Sequence, residues 1–111
     1  MRPKGTPSTK TLDALARLGE RIRLARVRRR VTSALLAERI GVSHATMTAI
    51  ERGAPGVAAV HYASALFSLG LLADLERVAA DDELGRRLQD LGLPKRVNLP
   101  KIRKERWPWP R

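Results

Sequence analysis

The stretch LLAERIGVSHATMTAIERG, residues 35–53, carries the strongest structural pattern in the sequence. It predicts two short helices, because each is preceded by a side chain that can cap it and followed by a glycine that can end it. Thr32 and Gly41 bound the first helix, and Ser43 and Gly53 bound the second. The two helices are therefore expected to be joined by a tight turn that begins at Gly41.

The apolar residues of this stretch recur at spacings that place them on one side. Met47 and Ile50 follow Val42 by five and eight residues, so all three are expected to point inward. Ala37 is small where the two helices must cross closely. These spacings are those of a helix–turn–helix, in which the first helix lies across the DNA backbone and the second is held out to enter the major groove.

A longer helix is predicted before this pair. Thr9 or Thr11 can cap it, and Asp13 would then lie in its first turn. The same helix contains six arginines within residues 21–30, most of which must face solvent or phosphate. Its apolar residues recur at spacings of three and four and form one buried stripe, namely Leu15, Leu18, Ile22 and Ala25.

Two further helices are predicted after the pair, at about residues 57–69 and about residues 71–80. No strand pattern appears up to residue 80. The fold class is therefore expected to be all-α, with five helices connected by short loops in one domain.

The composition divides the chain into three parts. Residues 1–10 are expected to form a flexible arm, residues 11–80 the helical domain, and residues 81–111 a basic tail. The tail begins with a short helix, predicted at Glu83 to Asp90. Residues 95–111 contain seven basic residues and one acidic residue, so this part is expected to be extended until it meets a partner.

The charge balance indicates a polyanionic partner. The chain has 111 residues, and its 22 Lys and Arg residues oppose 11 Asp and Glu residues to give a net charge of +11. Displacement of counterions from phosphates gives such a chain affinity for nucleic acid. A basic helix on a membrane surface is the rival, but it needs a bulky apolar face opposite the charges. The sequence has no cysteine, no secretory pattern and no apolar run of membrane-spanning length, so we expect a cytoplasmic protein without disulfides.

Residues 18–70 resemble the Cro/XRE class of phage-repressor helix–turn–helix domains. The resemblance implies a phage-repressor-like five-helix domain that binds double-stranded DNA as a homodimer on an inverted-repeat operator, with half-sites about one helical turn apart. The matching residues are Leu18-Gly19-Glu20-Arg21-Ile22-Arg23, Arg26, Thr32, Leu36-Ala37, Gly41-Val42-Ser43 and Ile50-Glu51-Arg52-Gly53.

The resemblance also implies roles for individual residues. Arg26 and Glu51 would form a structural ion pair between the first helix and the end of the second helix of the pair, the recognition helix. The positions that read bases in relatives are His44, Ala45, Thr48 and Ala49. The positions that approach phosphate are Arg21, Arg23, Ser33, Ser43, Thr46 and Arg52.

Two departures from the family pattern affect these expectations. Ser33 stands where the family has glutamine, and it is too short to reach phosphate and brace the recognition helix as glutamine does. The reading face also lacks the Gln, Asn or Arg side chains that make bidentate contacts to adenine or guanine. Ala45 and Ala49 could pack on thymine methyl groups, or they could simply be good helix formers on a solvent face. Base discrimination is therefore expected to be modest, with phosphate contacts and DNA shape carrying more of it.

The remaining polar residues suggest no catalytic or metal site. His61 is expected to be packed or half exposed within its helix, since no partner lies at metal-ligand spacing. The arginines at 28–30 are either a solvated run or a surface that steers phosphate. Ser43 and His44 are adjacent on one helix and cannot form a nucleophile–base pair unaided. We expect no enzyme activity, no cofactor and no metal.

The chain ends in Trp107-Pro108-Trp109-Pro110-Arg111, which holds half of its four aromatic residues. Alternating proline favours an extended conformation, and tryptophan is enriched in binding hot spots. The tail is therefore expected to bind a protein partner. The alternative is a tail that contacts DNA, and the same tail could make both kinds of contact. The residues expected to form the partner-binding tail are Arg103, Lys104, Arg106, Trp107 and Trp109.

Residues 85–101 look like the tails of HipB-type antitoxins, which pair with HipA-type kinases. This resemblance implies a nucleoid-associated repressor that autoregulates its operon and neutralises a HipA-type kinase toxin. Two alternatives stay open: a self-standing phage or metabolic repressor with a DNA-contacting tail, and a protein-interaction adaptor with a vestigial helix–turn–helix. The candidate dimer face is apolar and consists of Leu69, Leu71, Leu72 and Leu75.

Overall fold

The computed structural model describes residues 5–92, and every regular element in that range is an α-helix. The prediction of an all-α fold is therefore confirmed. The helices are α1 (Thr9–Arg28), α2 (Ser33–Ile40), α3 (His44–Arg52), α4 (Ala59–Ser68), α5 (Leu72–Glu76) and α6 (Glu83–Asp90).

Helix α1 begins with a different cap from the one that the sequence suggested. The Ser8 hydroxyl oxygen accepts a hydrogen bond from the Thr11 amide at 3.1 Å, so Ser8 is the cap and α1 begins at Thr9. Asp13 consequently lies beyond the first turn, which contains no acidic residue. The predicted favourable interaction of Asp13 with the helix dipole is therefore absent at this end.

The caps of α2 and α3 are those that the sequence predicts. The Thr32 hydroxyl accepts a hydrogen bond from the Leu35 amide at 3.1 Å, and the Ser43 hydroxyl accepts one from the Thr46 amide at 3.1 Å. Gly41 ends α2 at φ 74° and Gly53 ends α3 at φ 69°. Both angles lie in the left-handed region, where glycine carries no penalty from a side chain. The turn between α2 and α3 is thereby fixed by local chemistry.

The four largest fully buried side chains form the centre of the core: Ile22 of α1, Leu36 of α2, and Met47 and Ile50 of α3. Val42 is half-buried and packs against this cluster. The inward positions predicted for the helix pair are therefore confirmed. The other buried core residues are Ala25, Ala37, Tyr62, Ala65, Leu66 and Leu69.

Helix α1 crosses the end of α3 at two glycines that touch the opposite backbone. A Cβ atom on Gly19 would lie only 2.6 Å from the Ile50 carbonyl oxygen, and one on Gly53 would lie 2.5 Å from the Ala16 Cα. Real Cβ atoms essentially never approach that closely. The two helices can therefore pack at this distance only because both positions lack a side chain.

Helices α4 and α5 are shorter than predicted. Helix α4 begins at Ala59 rather than at about residue 57, and α5 ends at Glu76 rather than at about residue 80. After Glu76 the amides of Arg77 and Val78 bond to carbonyls three residues back, which is a turn geometry. Ala79 then takes φ 62°, a left-handed conformation that no right-handed helix continues.

The chain divides into two compact units, with the boundary after Val78. In the second unit, α6 is capped by Asp82, whose carboxylate accepts a hydrogen bond from the Gly85 amide at 3.0 Å. One face of α6 carries Leu84, Leu88 and Leu91, all exposed. The rest of the predicted partner-binding tail lies outside the described residues, including Arg103, Lys104, Arg106, Trp107 and Trp109.

We predict that Gly19→Ala destabilises the first unit by about 2 kcal/mol, because overpacking against the α3 backbone outweighs the better helix propensity of alanine. Urea unfolding followed by circular dichroism measures the change. Gly56→Ala is the control, since a Cβ atom there would meet nothing within 4 Å. Equal stability of Gly19→Ala and the wild type would contradict the close approach of α1 to α3.

Candidate nucleic-acid interface

Helix α3 has one buried face and one open face. Met47 and Ile50 are fully buried, and the residues at positions 45, 48, 49 and 52 follow the i, i+3, i+4, i+7 spacing of the opposite side. His44, Ala45 and Arg52 are exposed, while Thr48 and Ala49 are half-buried. The structure therefore gathers Ala45, Thr48, Ala49 and Arg52 on one outward surface of α3, with His44 at its first residue.

The outward surface of α3 borders an open groove whose other wall is the loop after α3 and the start of α4. The groove brings His61 of α4 next to the predicted base-reading residues, and His61 is half-buried there. The proximity of His61 to Ala49 could not be predicted from the sequence, because a spacing of twelve residues places no two side chains together without the fold. The groove is lined by Ala45, Thr46, Ala49, Gly56, Val57, Ala58 and His61.

The far wall of this groove is held by Tyr62. Its buried hydroxyl donates a hydrogen bond to the Ala54 carbonyl oxygen at 2.7 Å, which joins α4 to the loop that follows α3. Burial raises the pKa of the Tyr62 hydroxyl, so it stays protonated and remains a donor. The loop beside the outward surface of α3 is therefore anchored to the core.

The small polar residues predicted near phosphate lie at the starts of α2 and α3. Ser33 is the first residue of α2 and is half-buried. At the start of α3, the Ser43 hydroxyl donates to the Thr46 hydroxyl oxygen at 3.0 Å while it caps the helix. The Ser33 and Ser43 hydroxyls thus lie at helix N-termini, where backbone amides favour an anion.

The two arginines of α1 predicted near phosphate have different surroundings. Arg23 donates a hydrogen bond to Glu20 at 2.9 Å, and this bond raises the pKa of Arg23 and lowers that of Glu20. Arg21 lines a separate, mainly apolar groove formed by α1, α4 and the α5 region. Among the described residues, no hydrogen bond joins either arginine to α2 or α3. The structure thus places Arg21 beside an apolar groove and Arg23 in an ion pair along α1, and their contact with phosphate stays a prediction.

Arg26 and Glu51 meet in a two-pronged ion pair between α1 and α3. The Arg26 Nε and Nη2 atoms donate to the two Glu51 carboxylate oxygens at 2.6 and 3.0 Å. The remaining Nη1 donates to the Val31 carbonyl oxygen at 3.0 Å. The side chains are only 14% and 10% exposed, so water screens the pair weakly. One guanidinium thus joins α1, the end of α3 and the segment that enters α2.

The comparisons with known proteins agree with this geometry. Residues 6–80 match the model of a protein family described as a helix-turn-helix domain. The match covers more than half of the chain, and the protein therefore belongs to this family of DNA-binding domains. No curated protein and no solved structure matches the chain.

Residues 5–92 contain neither a cluster of metal ligands nor a membrane-spanning helix. That part of the chain brings together no group of three or more His, Cys, Asp or Glu side chains that could hold a metal ion. None of its helices combines the length and the apolar character needed to cross a membrane.

We predict that Arg26→Met destabilises the domain by about 3 kcal/mol, because it leaves the Glu51 carboxylate nearly buried without its partner. The double variant Arg26→Met, Glu51→Met should be milder, since it removes both charges and leaves only the Val31 carbonyl without its donor. Urea unfolding of the single and double variants gives the coupling energy. A double variant as unstable as the worse single variant would show that the two charges are not coupled.

Proposed function

We propose that this protein is a sequence-specific, non-enzymatic transcriptional repressor that inserts α3 into the major groove of double-stranded DNA. The observation that carries the proposal is the open face of α3, which is exposed while the opposite face is locked into the core by Met47 and Ile50. The family of helix-turn-helix domains to which residues 6–80 belong supports the same conclusion.

The chemistry of this face favours contacts to thymine methyl groups and single hydrogen bonds. Ala45 and Ala49 offer methyl groups, and His44 and Thr48 offer one polar contact each. Arg52, exposed at the end of α3, supplies charge for the adjacent phosphates, and Ser43 and Thr46 supply neutral contacts to the DNA backbone. His61 extends the proposed contact surface across the groove. Much of the affinity then comes from charge, in keeping with the net charge of +11.

We further propose that the protein binds an inverted-repeat operator as a homodimer. The dimer face named from the sequence needs a correction, because Leu69 is 4% exposed and belongs to the core of its own domain. Leu75 is 40% exposed and Val78 70% exposed, and both border the apolar groove beside α1. Val78 therefore replaces Leu69 in the proposed dimer face, which keeps Leu75, with Leu71 and Leu72 half-buried beside it.

The proposed biological role is that of an antitoxin in a HipBA-like module, acting at the nucleoid in the cytoplasm. The protein would repress its own operon and neutralise a HipA-type kinase toxin. The support is the resemblance of residues 85–101 to HipB-type tails and the chemistry of the final segment, where Trp107 and Trp109 alternate with proline. Arg103, Lys104 and Arg106 would add charge to the same contact.

We predict that Ala45→Glu lowers affinity for specific duplex DNA at least about 100-fold, because a carboxylate would enter a groove lined by phosphates and base acceptors. Gel shifts on a duplex selected from a random library by the wild-type protein measure this loss. Ala14→Glu is the matched control, since it adds the same charge at an exposed position of α1. Unchanged affinity of a folded Ala45→Glu variant would overturn the assignment of the reading face.

We predict that deletion of residues 98–111 leaves duplex binding specific but abolishes neutralisation of the toxin. Growth of cells that co-express the product of the adjacent gene with either the full chain or the deleted chain measures protection. Circular dichroism checks that the helical domain still folds. Full protection by the deleted chain would rule out the tail as the toxin contact, while the DNA-binding proposal would stand.

A further inference from the structure

Arg30 has a backbone conformation that its residue type disfavours. Its φ is 55°, in the left-handed region, and among residues 5–92 only Ala79 shares this feature without being glycine. A Cβ atom in this region crowds the following carbonyl oxygen, which is why glycine is the usual residue there. An arginine at this position therefore makes the fold less stable than a glycine would.

The ends of the other helices show that glycine is the usual residue at the left-handed position in this chain. After α1, the Arg30 amide donates to the Val27 carbonyl oxygen and the Val31 amide to that of Arg26. The same pair of bonds, reaching three and five residues back, closes α2 at Gly41, α3 at Gly53 and α4 at Gly70. Three of these four helix ends thus have glycine at the left-handed position, and α1 has arginine.

No contact within the described part of the chain explains why arginine, rather than glycine, occupies the left-handed position after α1. Arg26 and Arg29 of the same stretch donate hydrogen bonds to Glu51 and to the Ala25 carbonyl oxygen, respectively. The Arg30 side chain is exposed, and no hydrogen bond or ion pair links it to any of residues 5–92. The side chain is therefore available to a ligand outside the domain.

The surroundings of Arg30 favour an anion. Residues 21–37 contain six arginines and no acidic residue. The turn lies directly before α2, and the bond from Arg26 to the Val31 carbonyl oxygen fixes it to the end of α3. The backbone that carries Arg30 is therefore tied to the helix pair through Arg26, whose guanidinium also bonds to Glu51 of α3. Arg28, also exposed, adds a second cation.

We propose that Arg30 binds a backbone phosphate of duplex DNA beside the α3 contact, and that the left-handed conformation persists because this contact needs a cation at the turn. The inference rests on the proposed DNA-binding function and adds a residue to it. A phosphate contact fixes the register of the protein on DNA without reading sequence. Arg30 thus contributes to affinity for all duplexes and not to base choice.

The test uses Arg30→Gly in the full chain. This variant should raise the melting temperature by about 4 °C, because the left-handed position becomes unstrained. It should also weaken binding to both selected and unrelated duplexes by roughly five- to tenfold per bound subunit at 0.1 M salt. The slope of log affinity against log salt should fall by about 0.9 for each lost phosphate contact, which is about 1.8 for the proposed homodimer. Thermal unfolding and fluorescence anisotropy over a salt series measure the two effects.

Two further variants separate charge from conformation. Arg30→Lys keeps the cation and should keep the salt slope. Arg77→Gln removes one charge from an exposed position of the α5 region and should change the slope little. If the wild type binds duplex DNA but Arg30→Gly leaves the slope unchanged, the inference is wrong and the proposed function survives. If the wild type binds no duplex, the proposed function itself fails. A melting temperature that falls in Arg30→Gly would overturn the claim that arginine strains the turn.

Discussion

The ion pair of Arg26 with Glu51 is the constraint on which the orientation of α3 depends. Helix α3 is only nine residues long and cannot hold its orientation by itself. The guanidinium joins its last turn to α1 and, through the Val31 carbonyl oxygen, to the entry of α2. Because all of these groups are nearly buried, removing one partner leaves a charge without compensation, so the arrangement is kept as a unit. The outward face of α3 is thereby presented in one orientation.

The second constraint is the contact between Gly19 and Gly53, which lets α1 approach the end of α3 closely enough for that ion pair to form. A side chain at either glycine would overlap the opposite backbone, and the overlap would separate the helices. The glycine at 53 therefore has two roles, because it also supplies the left-handed residue that ends α3. Gly19, in the middle of α1, is unfavourable for the helix alone, and the packing explains its presence.

The arginines of the chain divide into those with internal partners and those available to a ligand. Arg23 and Arg26 are engaged by carboxylates, and Arg29 is engaged by a backbone carbonyl group. Neighbouring arginines in this run therefore make different contacts. Their positions in the sequence alone do not show which of them has an internal partner. Motif position predicts phosphate contacts for both Arg21 and Arg23. The fold places Arg21 beside an apolar groove and gives Arg23 an acidic neighbour, Glu20. Arg30, which the sequence left undecided, is the residue that the backbone conformation singles out.

The helix–turn–helix could be predicted from the sequence, because caps, terminal glycines and apolar spacing act over a few residues. Thr32, Ser43, Gly41 and Gly53 perform the tasks that their chemistry predicts, and Met47 and Ile50 are buried as their spacing requires. The tertiary structure decided what depends on residues far apart in the chain. It brought His61 beside Ala49, buried Leu69, ended α5 at Glu76 and gave Gly19 its role. Local propensity fixes where helices can form and end, but only their packing decides which surfaces remain for a partner.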